Sequence, residues 1–380
     1  FSGVFSSGYS VSGAGDVNGD GLADVIVGTN TNSTETGAYV VYGNSTGTSV
    51  VIDNSQNIAS NLGFRISGAA NSYLGSAVSG AGDVNGDGLA DMIVAGPGTG
   101  GNASSYVVYG RAGSTGVNLA SATIATSDGF KIVGTGNNLG YKTSSAGDVN
   151  GDGFGDVMVA AYAIGSVYVI YGNATGTDAN IGSNTIAAGS GFKIVSAQAS
   201  TTLGFSFSSA GDVNGDGLAD VVVGDKANHS AYVVYGNSTG ATVNINNTGG
   251  IAAGSGFRIA GTSGNVGHSA AAAGDVNGDG LADVIVGADV NAGYAYVVYG
   301  NASGNTVNIS SDGSINASNG FKVTGASSGY FANILSGAGD INGDGLSDLI
   351  IGSMNVNGAY NIILGGTQWI TNAVNFTGTT

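Results

Sequence analysis

The sequence predicts an all-β fold built from six repeated sheets. Three observations carry the prediction. The nine-residue motif Asp-x-Asn-Gly-Asp-Gly-x-x-Asp starts at Asp16, Asp83, Asp148, Asp212, Asp275 and Asp340, at intervals of 67, 65, 64, 63 and 65 residues. A fixed period of this size is the mark of a repeat architecture. Between the motifs, short Val/Ile/Tyr runs are bounded by Gly and Asn, which is a strand pattern. The third observation is compositional: one Glu, three Met and eight Lys/Arg in 380 residues leave little to cover helix surfaces.

One repeat shows the elements in order. Ser76 to Gly82 is a small-residue strand that leads into the motif at Asp83, and Asp91-Met92-Ile93-Val94 leaves it as an apolar second strand. That strand recurs as Val25-Ile26-Val27, Val157-Met158-Val159, Val221-Val222-Val223, Val284-Ile285-Val286 and Leu349-Ile350-Ile351. A strand apolar on both faces is buried on both. Ser105 to Gly110 is a third strand, and Gly129-Phe130-Lys131-Ile132-Val133 is a fourth. Four strands in about 65 residues make a blade of a radial array. The expected fold is a six-bladed β-propeller with four antiparallel strands per blade, as a single domain. The blades fall at about 1–69, 70–135, 136–198, 199–262, 263–326 and 327–380.

The fourth strand carries a cation after its Phe: Arg65, Lys131, Lys193, Arg258 and Lys322. Protection of an outer sheet edge is favoured here over ligand binding. Asn44-Ser45-Thr46, Asn173-Ala174-Thr175, Asn237-Ser238-Thr239 and Asn301-Ala302-Ser303 match the glycosylation acceptor pattern. Asn is equally a natural turn residue there.

The motif has the chemistry of a calcium loop. Ca²⁺ takes about 6–8 oxygen ligands from a loop able to curl around it. Positions 1, 3 and 5 offer Asp16, Asn18 and Asp20, Gly21 permits the turn, and Leu22 offers a backbone carbonyl, so its side chain is free to be apolar. An EF-hand would need Glu at position 12, where Val27 stands, and Asp24 at position 9 replaces it. The same roles fall to Asp83, Asn85, Asp87, Leu89 and Asp91, and to Asp148, Asn150, Asp152, Phe154 and Asp156. They recur at Asp212, Asn214, Asp216, Leu218 and Asp220, at Asp275, Asn277, Asp279, Leu281 and Asp283, and at Asp340, Asn342, Asp344, Leu346 and Asp348. Six Ca²⁺ sites, one per blade, are expected. Asn-Gly and Asp-Gly could serve as turns alone, but a turn does not need three carboxylates at fixed spacing. Mg²⁺ fits less well because it demands near-octahedral geometry.

The loops also explain the charge. They hold 18 of the 25 acidic residues, and six divalent cations would bring the net −17 to about −5. A nucleic-acid partner is disfavoured for want of a basic stripe. No apolar run approaches the roughly 18 residues of a membrane span. Cysteine is absent, so the redox compartment is not legible. With no initiator Met and no signal peptide, the chain is expected to be a monomeric module of a longer precursor. Only His229 and His268 are present, and the acids outside the loops (Glu35, Asp53, Asp128, Asp178, Asp225, Asp289 and Asp312) show no recurring pairing. No nucleophile–base arrangement emerges, so an enzyme is not expected.

These residues resemble the FG-GAP repeats of integrin α-subunit N-terminal β-propellers and their bacterial relatives. In that family a Phe-Gly precedes the first strand, and a calcium loop joins strands one and two. The Phe-Gly position reads Leu74-Gly75, Leu139-Gly140, Leu203-Gly204 and Val266-Gly267, and weakens to Ser7-Gly8 and Phe331-Ala332. Only Gly96-Pro97 matches the Gly-Ala-Pro element. The resemblance implies an extracellular or cell-surface binding and adhesion platform for a protein or glycan partner. A lectin and a structural spacer of a large adhesin are the alternatives. Integrin propellers have seven blades, whereas the spacing here leaves room for six.

Two expectations concern the ends of the strands. Ala373 to Thr379 is read as the fourth strand of the last blade. The rival reading aligns Val374-Asn375-Phe376 with Val117-Asn118-Leu119 and leaves Phe1 to Phe5 to supply the closing strand. The first strands start at Tyr9, Ser76, Tyr141, Phe205, His268 and Asn333, on the face away from the loops. Tyr9, Tyr141, Phe205 and His268 are the candidate ligand-binding residues, against the plainer reading that their rings pack between blades.

Overall fold

The computed structural model describes residues 7–30, 36–47, 49–52, 58–98, 104–120, 123–134, 138–198, 201–246, 250–252, 254–289, 293–324, 331–353, 360–366 and 373–375. The described residues form 28 strands and three single-turn 3₁₀ segments. None of the helical segments is long and apolar enough to cross a membrane. The chain divides into two compact units. The first comprises 1–148, 152–193 and 239–241, and the second 149–151, 194–238 and 242–380.

In the first unit, β1 (Ser7–Gly15), β2 (Asp24–Thr29), β3 (Gly37–Val41) and β4 (Gly63–Gly68) run antiparallel in chain order, and β8 (Val117–Leu119) adds to β4 in parallel. The second sheet repeats the plan with β5 (Ala77–Gly82), β6 (Asp91–Gly96), β7 (Ser104–Val108), β9 (Gly129–Gly134) and parallel β13 (Ala179–Ile181). The third contains β10 (Leu139–Gly147), β11 (Asp156–Ala161), β12 (Ser166–Ile170) and β14 (Gly191–Ser196), along which the chain passes into the second unit.

In the second unit, β14 is joined in parallel by β18 (Val243–Ile245). The fourth sheet is β15 (Ser206–Gly211), β16 (Asp220–Asp225), β17 (Ser230–Val234), β19 (Gly256–Ala260) and β23 (Val307–Asn308). The fifth is β20 (Val266–Gly274), β21 (Asp283–Ala288), β22 (Tyr294–Val298), β24 (Gly320–Thr324) and β28 (Ala373–Asn375). A sixth sheet has β25 (Phe331–Gly339), β26 (Asp348–Ser353) and β27 (Tyr360–Ile363) among the described residues.

Among the described residues the first five repeats therefore contribute the four antiparallel strands expected and the sixth contributes three, and in the first five sheets a fifth strand from the following repeat covers the fourth. This overturns two expectations. Ala373–Asn375 is not the last repeat's fourth strand: it pairs Lys322↔Ala373 to Thr324↔Asn375 on the preceding sheet, as the rival alignment with Val117-Asn118-Leu119 requires. Residues 1–6 and 376–380 lie outside the described residues. The cations are also not on a bare edge. Arg65 stands opposite Tyr39 and Lys131 opposite Tyr106 in register. Arg65 lies 5.9 Å from the Tyr39 ring centroid, Lys131 5.7 Å from that of Tyr106 and Lys193 5.6 Å from that of Tyr168. A cation over an aromatic face is attractive and keeps its charge partly solvated.

In the second to fifth repeats the apolar second strand is buried on both faces because its alternate residues serve different cores, whereas Val25 in the first is 40% exposed. Met92 and Val94 pack with Ile26, Val40 and Phe64 of the first sheet, while Ile93 packs with Val157, Val159 and Tyr168 of the third. The second unit repeats this, with Val284 and Val286 in one core and Ile285 in the next. The recurrent Tyr-Gly and Gly-Phe pairs also have a packing reason. Tyr109 meets Phe130 with centroids 6.4 Å apart, and the equivalents in four other repeats meet at 6.2–6.3 Å. Gly129, at φ +145°, is required there, since a Cβ would come within 1.9 Å of the Val107 carbonyl oxygen.

Candidate metal loops and first-strand face

Each motif links the first and second strands of its sheet, and its hydrogen bonds are the same wherever they are described. In the first loop Asp16 Oδ1 accepts from the N–H groups of Gly19 and Asp20 at 2.7 and 3.1 Å, and Oδ2 from Gly21 at 2.8 Å. Asn18 Oδ1 accepts from Asp20 N–H, and Asp20 Oδ1 from Leu22 N–H, both at 2.8 Å. Asp24 Oδ2 accepts from Val17 N–H and Oδ1 from Gly43 N–H, again at 2.8 Å. Gly19 and Gly21 sit at φ +78° and +84°, the left-handed conformation that turns successive N–H groups inward.

The loop carboxylates stand in two distinct electrostatic settings. The position-9 carboxylate is buried, and burial pushes Asp91, Asp220 and Asp283 up to about 7 despite their backbone hydrogen bonds. Asp340, at position 1, is exposed, and the Gly345 N–H holds it below the usual carboxylate range. Among the described residues no three His or acidic side chains form a ready-made cation cage, because the loop carboxylates are turned to backbone amides. The donor set nevertheless suits a hard cation. It is entirely oxygen, and Asn18 Oδ1, Asp16 Oδ2 and both Asp24 oxygens accept one described hydrogen bond each, leaving lone pairs for coordination.

The loops also lock repeats together. Within the first unit Asp16 O accepts from Ala90 N–H at 2.9 Å, Val17 O from Arg111 N–H at 2.8 Å and Asp83 O from Gly155 N–H at 2.7 Å. Within the second, Asp212 O accepts from Ala282 N–H and Asp275 O from Ser347 N–H, at 2.9 and 2.8 Å. Sequence reading did not anticipate these rungs, because a backbone carbonyl leaves no residue signature.

At the opposite ends of the first strands the candidate residues behave differently from one another. Tyr9 is 63% exposed. Tyr141, 41% exposed, stacks on Tyr162 of its own repeat with centroids 5.2 Å apart. Phe205 and His268 are brought together across two repeats, their rings 5.1 Å apart. Lys226 Nζ lies 3.5 Å from the Phe205 centroid, and His268 Nδ1 is 3.6 Å from Asp289 Oδ2. Tyr162, Lys226 and Asp289 were not singled out in the sequence, since each sits in a connection that varies between repeats. Phe205 and His268 therefore contact each other between repeats while both remain part-exposed.

Comparison with known proteins agrees with this geometry. The FG-GAP-like repeat model matches residues 16–94, 148–223 and 212–286, and the FG-GAP repeat model matches 331–364. Integrin alpha pat-2 of Caenorhabditis elegans is 29% identical over 257 residues, covering 60% of this chain and 18% of that protein. Integrin alpha-4 of Xenopus laevis is 29% identical over 169 residues, covering 43% of this chain and 15% of its own length. The chain thus spans less than a fifth of the curated relatives it matches. With the repeat model covering more than half of its residues, the chain belongs to the FG-GAP repeat family.

Proposed function

We propose that this chain is a calcium-stabilised, non-catalytic binding platform that acts outside the cell or at its surface, engaging a protein or glycan partner in adhesion. In this reading the six sheets are the blades of one propeller. Each loop holds one Ca²⁺ through the side chains at positions 1, 3, 5 and 9 and the carbonyl at position 7. The observation that carries the reading is the loop itself, whose all-oxygen donor set has the same spacing six times and the same hydrogen bonds in each described copy. Likeness to integrin α chains supports adhesion as the use of the platform. The cation would neutralise carboxylates held a few ångströms apart and tie both ends of the loop.

Calcium bound only to the folded state stabilises by RT ln(1 + [L]/Kd), about 2.7 kcal/mol per site at a hundredfold excess over Kd. Excess EDTA is therefore expected to lower the melting temperature sharply, and added CaCl₂ to restore it. Asp152→Ala is expected to remove one equivalent of bound calcium in titration calorimetry. A melting curve indifferent to EDTA, together with no calcium heat, would refute the metal reading.

A further inference from the structure

The fifth repeat breaks the third-strand pattern at one position. The strand opens with Gly37, Ser104, Ser166 and Ser230 in the first four repeats, but with Tyr294 in the fifth. The extra ring changes the local architecture. Register places Lys322 opposite Tyr296, yet its Nζ lies 3.7 Å from the Tyr294 centroid, well inside the 5.6–5.9 Å seen for Arg65, Lys131 and Lys193. The ammonium clamps the Tyr294 ring. Tyr296 donates its hydroxyl to the Gly313 carbonyl at 3.2 Å, and the Ile309–Ile315 bridge closes the hairpin that carries Gly313. Gly313 stands at φ +75°, where a Cβ would come within 2.9 Å of Lys322 Nζ.

Between this hairpin and the strand lies a cavity of about 200 Å³. Its part-exposed aromatic wall is Tyr294, with Tyr296 and Ile309 buried behind it, and Ser310, Ser311 and Asp312 give it hydroxyls and a carboxylate. We propose that this cavity binds one pyranose ring, free or at the end of a glycan. Its volume is below the roughly 300–1,000 Å³ of pockets for drug-sized ligands, which suits a single ring. A sugar ring has an apolar C–H face to lay on an aromatic surface and hydroxyls around its edge for Ser and Asp. The Ser314 hydroxyl and N–H hold Asp312 below the usual carboxylate range, so it is an anionic acceptor at neutral pH. A nucleotide is a poor fit, because its phosphates would approach a chain of net charge −17.

The inference rests on the binding-platform reading, for which it names a sugar as ligand, and it does not use the loops, so its failure leaves the calcium reading intact. It is tested by saturation-transfer NMR on the whole chain with the methyl glycosides of glucose, galactose, mannose and N-acetylglucosamine at millimolar concentration. At least one glycoside is expected to receive saturation. Tyr294→Ser, which installs the residue of the third and fourth repeats, is expected to weaken it tenfold or more while circular dichroism shows the protein still folded at the assay temperature. Asp312→Asn, isosteric and exposed, is expected to weaken it severalfold, and Tyr141→Ala to leave it unchanged. No transfer to the folded parent, or equal binding by folded Tyr294→Ser, overturns the proposal. Loss of binding in Tyr141→Ala alone overturns it too, by placing the sugar elsewhere.

Discussion

The two ends of the first strands obey different rules. At the loop end, Asp, Asn and Gly recur at fixed positions and make the same hydrogen bonds from one repeat to the next. At the other end the residues are Tyr9, Ser76, Tyr141, Phe205, His268 and Asn333, with a different environment for each ring described. The loop end is pinned by backbone donors at fixed geometry, so one chemistry suffices for every copy. The far end needs only a side chain that fills or covers local space, so the repeats are free to diverge there.

The comparison breaks most visibly at position 9 of a loop. Asp91 is fully buried, with Oδ2 on Val84 N–H at 2.7 Å and Oδ1 on Gly110 N–H at 2.7 Å. Asp91→Ala leaves both donors unsatisfied, and at about 1–3 kcal/mol each the loss is expected to be about 2–6 kcal/mol. Urea unfolding in excess EDTA measures this without any contribution from a cation. Asp87→Ala, at exposed position 5, removes acceptors that face solvent and is expected to cost about 0.5–1.5 kcal/mol under the same conditions. Equal costs would mean that position 9 does not anchor the loop through burial.

Phe205 sharpens the other side of the comparison. Its ring meets Lys226 on one contact and His268 on another, and it is only half-buried. Phe205→Ala is expected to cost about 1–2.5 kcal/mol, from one aromatic pair and one cation–π contact. The same substitution is expected to leave calcium stoichiometry intact. A change in stoichiometry would show that the two ends are coupled.

How far the sequence was legible follows from how local each determinant is. The second strands were visible because a run such as Met92-Ile93-Val94 needs no knowledge of its neighbours to be read as buried on both sides. The loops were visible because five of their positions lie within nine residues. What anchors Asp24 was not, since Gly43 is 19 residues away. The fifth strands escaped for a similar reason. Val117-Asn118-Leu119 is three residues long and pairs in parallel with residues 66–68, so neither strand length nor a hairpin turn announces it. The cations were misassigned to an edge because the Tyr39–Arg65 and Tyr106–Lys131 pairings depend on register between strands about 25 residues apart.

The smallest expected effect is at Tyr141, where the loop rule and the surface rule are best separated. Tyr141 and Tyr162 stack at 5.2 Å with planes 23° apart, inside one repeat. Aromatic pairs contribute about 0.5–1.5 kcal/mol beyond the area they bury. Tyr141 is 41% exposed, which puts this pair at the low end, about 0.5 kcal/mol. A double-mutant cycle with Tyr141→Ala and Tyr162→Ala isolates that coupling, because each single change removes the stack and the double change removes it only once. The two rings would then be a local patch that changes independently of the loops. A coupling of about 2 kcal/mol or more would overturn this, because a half-exposed stack cannot supply it. It would mean that the Tyr141–Tyr162 connection is held by the rest of its repeat as tightly as the loops are.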